Sequence, residues 1–513
     1  MLKERVVFCV AVVGVMLFIV VFGQTFSSVQ LHETGDFAAN SLLVLQAKRF
    51  DLLVGNYSRV GFNHPGPAFL YVLAAGEAVF FDLTHWVVSP FSGQLYAVAL
   101  LSGFWIVAIG LLLRSMQGSL AQAVITTALF VGVTGYINYQ AFAGPWFPHL
   151  YYFAFAAFTV SLASLIMGRS DGLLLLAVSL GFLLNGHVSF FGVAAVMLVC
   201  ALAANTWNCA RSNTRGAWVL GRDYLARNLR TIAAALAIVV LFLVPLIIQT
   251  ILHFPGPVAD YAAFGHAHRA NRLADAARFV GLFWSNGIFG ILFGAAACAI
   301  LITGNPARDS AERVAPERAL ALALASATVG FLFYAVVGVD DFSLIYVGIF
   351  YYAIPALALV LLLKRVVDNL AVANWRVAAF VCVAAGAFTA IRIHQPPENA
   401  AQYNDPGIPA AYAVISKLGG SDAPVVFDLD GSADWGHVWT TLVGVEAYAR
   451  RQGGTPFCIA ENWQVLFTRS ARCTQAEISG ARVRFLVSAA PKDGLISAAN
   501  VSGLYFYPRE SIK

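Results

Sequence analysis

Apolar residues run in long stretches over most of the chain, near 6–26, 95–113, 119–137, 147–167, 172–204, 231–251, 279–302, 319–338, 343–363 and 377–391. A helix needs about 20 apolar residues to cross the hydrocarbon of a bilayer, and about 17 can suffice. Each run therefore predicts a spanning helix. The 172–204 run is too long for one crossing, and Asn185-Gly186-His187 in its middle divides it into a helical hairpin. A shorter segment at 67–83 predicts a short or re-entrant helix on the outer side. The expectation is an α-helical polytopic membrane protein of eleven crossings plus that short helix. The charged start and full-length apolar run of the N-terminus, with no small-residue cleavage motif behind it, predict a retained first span.

The pattern changes after 391. VVFDLD at 425–430 reads as a buried strand, 440–454 as an amphipathic helix with a glycine stop, and RVRFLVSA and LYFYP as further strands. Two domains are expected: 1–391 in the membrane, carrying an outer loop at 27–66, and a small α/β domain at 392–513.

Arginine and lysine fix the sides. They collect in 205–230, 303–318 and 364–376, which positive-inside bias places in the cytoplasm together with the N-terminus. Loop 27–66, the turns at 138–146, 185–187 and 340–341, loop 252–277 and the tail then face outward. Composition agrees: 59% of residues are hydrophobic and 12% charged, and mean hydropathy is +0.73. A soluble protein carries about twice that charged share. A net charge of +5 is too small to suggest nucleic acid. Cys458 and Cys473 sit in the tail, where an oxidising outer compartment would let them pair.

Polar residues near a bilayer are costly, so those at span ends are candidates for chemistry. Asp36 follows the first span closely. It reads as a cap on a 37–48 helix or as a general base acting on an acceptor hydroxyl or amine. Arg59, Asn63 and His64 follow, and His64-Pro65-Gly66-Pro67 is also a stiff lead-in to the next helix. His149, in Trp146-Phe147-Pro148-His149, and Asn185 and His187 fall on the same outer face. A lone histidine at a helix end is usually structural. Three on one face with an aspartate and an arginine suit a pocket for a phosphate and a sugar. Arg269, in 252–277, is a candidate clamp for phosphate or pyrophosphate, or part of a solvated loop. His266-Ala267-His268 lacks a third metal ligand, and no metal site is assigned; Asp340-Asp341 reads as a turn.

These motifs resemble the GT-C class of glycosyltransferases, and within it the protein-mannosyltransferase and aminoarabinose-transferase superfamily. Gly35-Asp36 stands where that superfamily has a loop-one Asp or Asp-Glu. His64-Pro65-Gly66-Pro67-Ala68-Phe69-Leu70-Tyr71 resembles its His-Pro-Pro-x-Tyr, and Gly181–His187 its glycine-rich hairpin. A bacterial subset shows a Gly-x-Tyr-Ser-Arg…His-Pro-Gly-Pro pattern, here Gly55 to Pro67, and a Trp-Asn-Pro-His-Leu pattern, here Trp146 to Leu150. The chain departs from relatives in having no acidic residue at 138–149, no Glu after Asp36, and His187 where lysine is common.

The resemblance implies transfer of a sugar from a polyprenyl-phosphate donor to an envelope acceptor (lipid, glycan or protein) at the outer face of a bacterial cytoplasmic membrane, with the tail in the periplasm. Asp36 would be catalytic. Arg59, Asn63, His64, His149, Asn185, His187 and Arg269 would bind substrate, and a divalent cation is an open question. Rival readings are a polytopic transporter or flippase, or a non-catalytic subunit of an envelope glycan assembly.

Overall fold

A computed structural model describes residues 27–58, 60–212, 215–267, 269–285, 287–303, 314–369, 375–393, 399–419, 425–431, 434–454, 457–460, 471–481 and 483–509. The first apolar run and Arg59 lie outside the described residues. In chain order the helices are α1 (Gly35–Ala47), α2 (Ala68–Gly76), α3 (Pro90–Gln117), α4 (Leu120–Ile137), α5 (Phe147–Ile166), α6 (Leu173–Gly186), α7 (Phe190–Ser212), α8 (Arg222–Leu252), α9 (Gly256–Ala267), α10 (Leu273–Leu282), α11 (Gly287–Thr303), α12 (Pro316–Val337), α13 (Ala353–Asn369), α14 (Trp375–Ile393), α15 (Ala400–Tyr403), α16 (Ile408–Gly419), α17 (Trp435–Arg451) and α18 (Gln475–Gly480). The strands are β1 (Val425–Leu429), β2 (Phe457–Ile459), β3 (Arg484–Ser488), β4 (Ala499–Val501) and β5 (Leu504–Arg509). Among the described residues two compact units form, one within Val98–Gln395 and one joining Gln24–Ala97 to Pro396–Lys513.

Eight described helices are long and apolar enough to cross a membrane: α3, α4, α5, α7, α8, α12, Ile345–Val366 and α14. Three more, Leu173–Gly186, Phe289–Ile300 and, in the tail, Ile408–Leu418, are apolar but shorter. The 279–302 run is two helices rather than one. α10 ends at Leu282, and α11 begins at Gly287 beyond the polar stretch at Ser285.

In the first unit α5 is the hub. Every residue from Pro148 to Ile166 is buried. Its phenylalanines alternate with Ala, Ser and Thr, and small residues let neighbouring helices approach closely. α6, α7, α12 and the 3-10 helix Ile345–Tyr352 pack around it. Aromatic rings fill the contact: Phe155 and Phe190 lie 4.9 and 4.8 Å from Phe350, and Phe331 stacks on Tyr351 at 4.1 Å. α8 is the opposite case, with Leu236, Val240, Leu241 and Ile251 all outward. An apolar face of that length is tolerated in lipid, where the helix satisfies its own backbone.

The second unit holds a five-stranded sheet in the order β2-β1-β3-β5-β4. β1 runs parallel to β2 and β3, and β5 runs antiparallel to β3 and β4. α17 makes the crossover from β1 to β2, as parallel pairing requires. The core joins Phe427, Val438, Leu442, Phe485 and Phe506 to Ala38, Ala39 and Leu42 of α1. The outer-loop helix thus shares the hydrophobic core of the tail. Cys458 and Cys473 form a disulfide with Cα atoms 4.9 Å apart.

Candidate active site

Helix α1 starts at Gly35 with Thr34 as its N-cap, so Asp36 lies inside the first turn rather than at the cap. A carboxylate there is favoured by the unpaired N–H groups of the helix start. Tyr57 donates its hydroxyl to Asp36 Oδ1. Tyr57 belongs to a narrow loop, where it pairs with Asn63 across an antiparallel bridge. Gly55 N donates to His64 O, and His64 N to Asn56 O, both at 2.9 Å. The Asn63 amide donates to Gly55 O at 3.0 Å. His64 is buried, with its ring edge against Phe62. The loop between Gly55 and His64 is therefore a small hydrogen-bonded clamp whose tyrosine reaches the candidate carboxylate.

A charged network lies in the same unit. Arg451 of α17 bonds Glu33 at 2.5 Å and Glu77 at 3.2 Å; Lys48 bonds Glu77 at 3.0 Å and Asp82 at 2.6 Å. Gln94 adds a 2.9 Å bond to Glu77. Burial raises the Glu77 pKa, but the guanidinium of Arg451 and the ammonium of Lys48 outweigh it and hold the carboxyl below its ordinary value. Burial lowers that of Lys48, and the charges and hydrogen bonds of Glu77 and Asp82 reverse this, leaving the ammonium raised.

In the first unit His187 caps the end of α6, and His149 lies in the first turn of α5. Trp146 and Pro148 open that helix. His149 is buried, and among the described residues neither of its ring nitrogens finds a hydrogen-bond partner. Its ring lies 5.9 Å from that of Trp146, which packs on Tyr346 at 5.3 Å. His187 stacks on Phe147 at 6.5 Å and bonds Ser189 Oγ through Nδ1 at 2.7 Å. Tyr151 donates to Gly186 O at 2.8 Å and so pins the α6–α7 turn.

Asn185 directs its amide to Phe242 O at 2.6 Å, near Pro245 inside α8. Pro245 has no N–H to give Leu241 O, so the ladder is broken in the turn that also carries Phe242 O. Arg269 is exposed in the stretch between α9 and α10. Two residues on, Asn271 anchors that stretch to the end of α12 through bonds to Ala335 O and Val339 O. Asp341 accepts from Ser343 N at 2.8 Å and closes a turn. Among the described residues no three His, Cys, Asp or Glu side chains gather as metal ligands. Tyr57, Trp439 and Tyr346 escaped the site assignment from sequence. Of these only Tyr57 left a trace there, two positions before Arg59 in the same motif.

Compared by sequence, no family model and no curated protein matches the chain. Compared by fold, it matches ArnT from Cupriavidus metallidurans in the apo state, with TM-score 0.56, 13% identity and 97% of each chain covered. The same protein bound to undecaprenyl phosphate matches with TM-score 0.55, again at 13% identity and 97% of each chain. A more distant match is the archaeal oligosaccharyltransferase AglB from Archaeoglobus fulgidus in complex with an inhibitory peptide and a dolichol-phosphate, with TM-score 0.41 and 14% identity over 85% of this chain and 63% of that one. The chain is a polytopic membrane protein with a GT-C-like fold.

Proposed function

We propose that this protein transfers a sugar from a polyprenyl-phosphate donor to an envelope acceptor at the outer face of the bacterial cytoplasmic membrane. The observation that carries the reading is the Asp36 carboxylate, set in the first turn of α1 and held by Tyr57, within a fold shared end to end with ArnT. That ArnT has been solved with undecaprenyl phosphate supports a lipid-phosphate donor.

Asp36 acts as general base. It takes the proton of an acceptor hydroxyl or amine while that atom bonds to the anomeric carbon. The bond from that carbon to the carrier phosphate breaks, and its electron pair leaves with the phosphate. The departing charge calls for hydrogen-bond donors rather than a nucleophile. His149, buried and with neither ring nitrogen bonded among the described residues, is one such donor; His187, Arg59 and Arg269 are further candidates, and Asn63 and His64 shape the loop that carries Tyr57. A divalent cation, were one to take part, would be held by the Asp36 carboxylate and would supply positive charge for the departing phosphate. The Cys458–Cys473 disulfide and the basic loops support a periplasmic tail and a cytoplasmic N-terminus.

Purified protein supplied with polyprenyl-phosphate sugars and candidate acceptors releases free polyprenyl phosphate on this reading. Asp36→Ala lowers release by about 10²–10⁴-fold, the usual worth of general-base catalysis. Equal release by wild type and Asp36→Ala would remove the carboxylate from the reaction. Chelation of divalent cations in the same assay separates a metal-assisted step from an unaided one.

A further inference from the structure

We infer that the C-terminal domain is the mount that aims the Asp36 carboxylate, with Tyr57 as the positioning residue and Trp439 of α17 as its backing. The inference rests on the role of Asp36 proposed above, and every contact behind it lies within one unit.

The Tyr57 hydroxyl bonds one carboxylate oxygen of Asp36, which leaves the group few rotamers. The ring of Tyr57 meets Trp439 edge to face, with centroids 6.3 Å apart, and Trp439 is itself buried on α17. Asp36 is fixed from its backbone side as well. Gly35 takes a left-handed φ of +56°, and a Cβ there would stand 2.8 Å from Gln402 Oε1 and 3.2 Å from Thr440 Cγ2. Only glycine combines that conformation with so close an approach. The preceding residues are stitched to the tail one after another. His32 N donates to Asn404 Oδ1 at 3.0 Å, Thr34 N donates to Gln402 O at 2.9 Å, and Glu33 pairs with Arg451. On the far side of Asp36, Ala38, Ala39 and Leu42 enter the core of the tail. Loop and tail are distant in sequence, yet the tail holds the chain before and after Asp36 and backs the tyrosine bonded to its carboxylate.

A domain that merely captured the acceptor would have no need to anchor the residues on both sides of Asp36 and to back the tyrosine that bonds it. A mount makes a different demand: the tail must be folded and seated for the base to point correctly, and small errors of placement are costly in rate.

The test compares full-length wild type, Tyr57→Phe, Trp439→Phe and Trp439→Ala, each folded by thermal unfolding in detergent. Tyr57→Phe keeps the ring and loses only the hydroxyl. It lowers kcat about 10- to 100-fold, the scale of a misplaced reacting group, with the KM for the lipid donor unchanged. The acid limb of its kcat/KM profile moves up by about one pH unit, because a hydrogen bond to the ionised carboxylate has gone. Trp439→Phe keeps an edge contact and retains activity, whereas Trp439→Ala repeats the Tyr57→Phe pattern.

A readout independent of turnover is the labelling rate of Asp36 by a water-soluble carbodiimide, followed by mass spectrometry. It rises in Tyr57→Phe and Trp439→Ala and stays near wild type in Trp439→Phe. Wild-type kcat, acid limb and labelling in Tyr57→Phe overturn the inference. So does a Trp439→Ala protein whose stability falls while its acid limb and labelling stay in place. If wild type releases no polyprenyl phosphate but the labelling pattern appears, the proposed reaction fails and the mount stands.

Discussion

His149 and Asn185 show how differently two polar residues at helix ends can be employed. Asn185 spends its amide on Phe242 O beside Pro245, which is a structural task. Asn185→Ala should destabilise the α6–α8 contact by about 0.6–2 kcal/mol, the range of interhelical hydrogen bonds in membranes. Thermal unfolding in detergent measures this, and the KM for the lipid donor should stay put. His149 is buried with both ring nitrogens unpartnered among the described residues. A buried polar group without a partner costs about 1–3 kcal/mol, which a ligand oxygen can recover. His149→Ala should therefore raise the KM for a polyprenyl-phosphate donor about 10- to 100-fold, the worth of a hydrogen bond to a charged group. Residue type alone singled out both side chains, because polar groups are rare at span ends. It did not separate them, since the separation depends on which carbonyl a helix distant in sequence presents to Asn185.

At the scale of elements, apolar run length found the long helices because bilayer thickness dictates it. The same rule joined α10 to α11, since it counts apolar residues and is blind to a short polar break. Strands β1, β3 and β5 were legible as apolar stretches, but β2 and β4 span only Phe457–Ile459 and Ala499–Val501, too few residues for a period to show. The association of α1 with α17 and the sheet was invisible for another reason: the contacts are made by alanines, Leu42 and a glycine that serve a membrane-surface helix equally well. The charge network adds a prediction on this scale. Arg451→Met leaves Glu33 and Glu77 buried without their guanidinium, a loss of about 3–5 kcal/mol near neutral pH. The folded pKa of Glu77 is depressed, so its contribution is fully present above the ordinary carboxylate value and fades as pH falls through the folded one. That of Lys48 is raised, so its contribution persists below the ordinary lysine value and fades only as pH climbs through the folded one. The stability gap between wild type and Arg451→Met should thus narrow on acidification from neutral toward pH ~4, because protonation relieves Glu77, which keeps only Lys48 and Gln94 in the variant. Unfolding midpoints of both proteins across that range give the answer, and a constant gap would place the stabilisation elsewhere.

For the whole molecule, the disulfide ties stability to sidedness. Cys458 and Cys473 are 15 residues apart and join the middle of β2 to the segment leading into α18. Closing a loop of that size is worth about 3 kcal/mol through the unfolded chain. Such a bond persists in an oxidising compartment and is rare in the cytosol. Cys200, Cys209, Cys298 and Cys382 lie on membrane helices and are not bonded to either tail cysteine. In a variant with those four replaced by alanine, and Cys9 with them, any thiol signal comes from the tail pair. With a periplasmic tail, a membrane-impermeant maleimide applied to intact spheroplasts labels nothing before reduction. After brief treatment with an impermeant reductant it labels Cys458 and Cys473. A cytoplasmic tail gives the reverse: reduced thiols that an impermeant reagent reaches only after lysis. In the periplasmic case, Cys458→Ser should lower the unfolding stability of the tail by that same ~3 kcal/mol. Because α1 shares the core of the tail, the loosening should extend to Asp36, and its carbodiimide labelling should quicken in step with the lost stability.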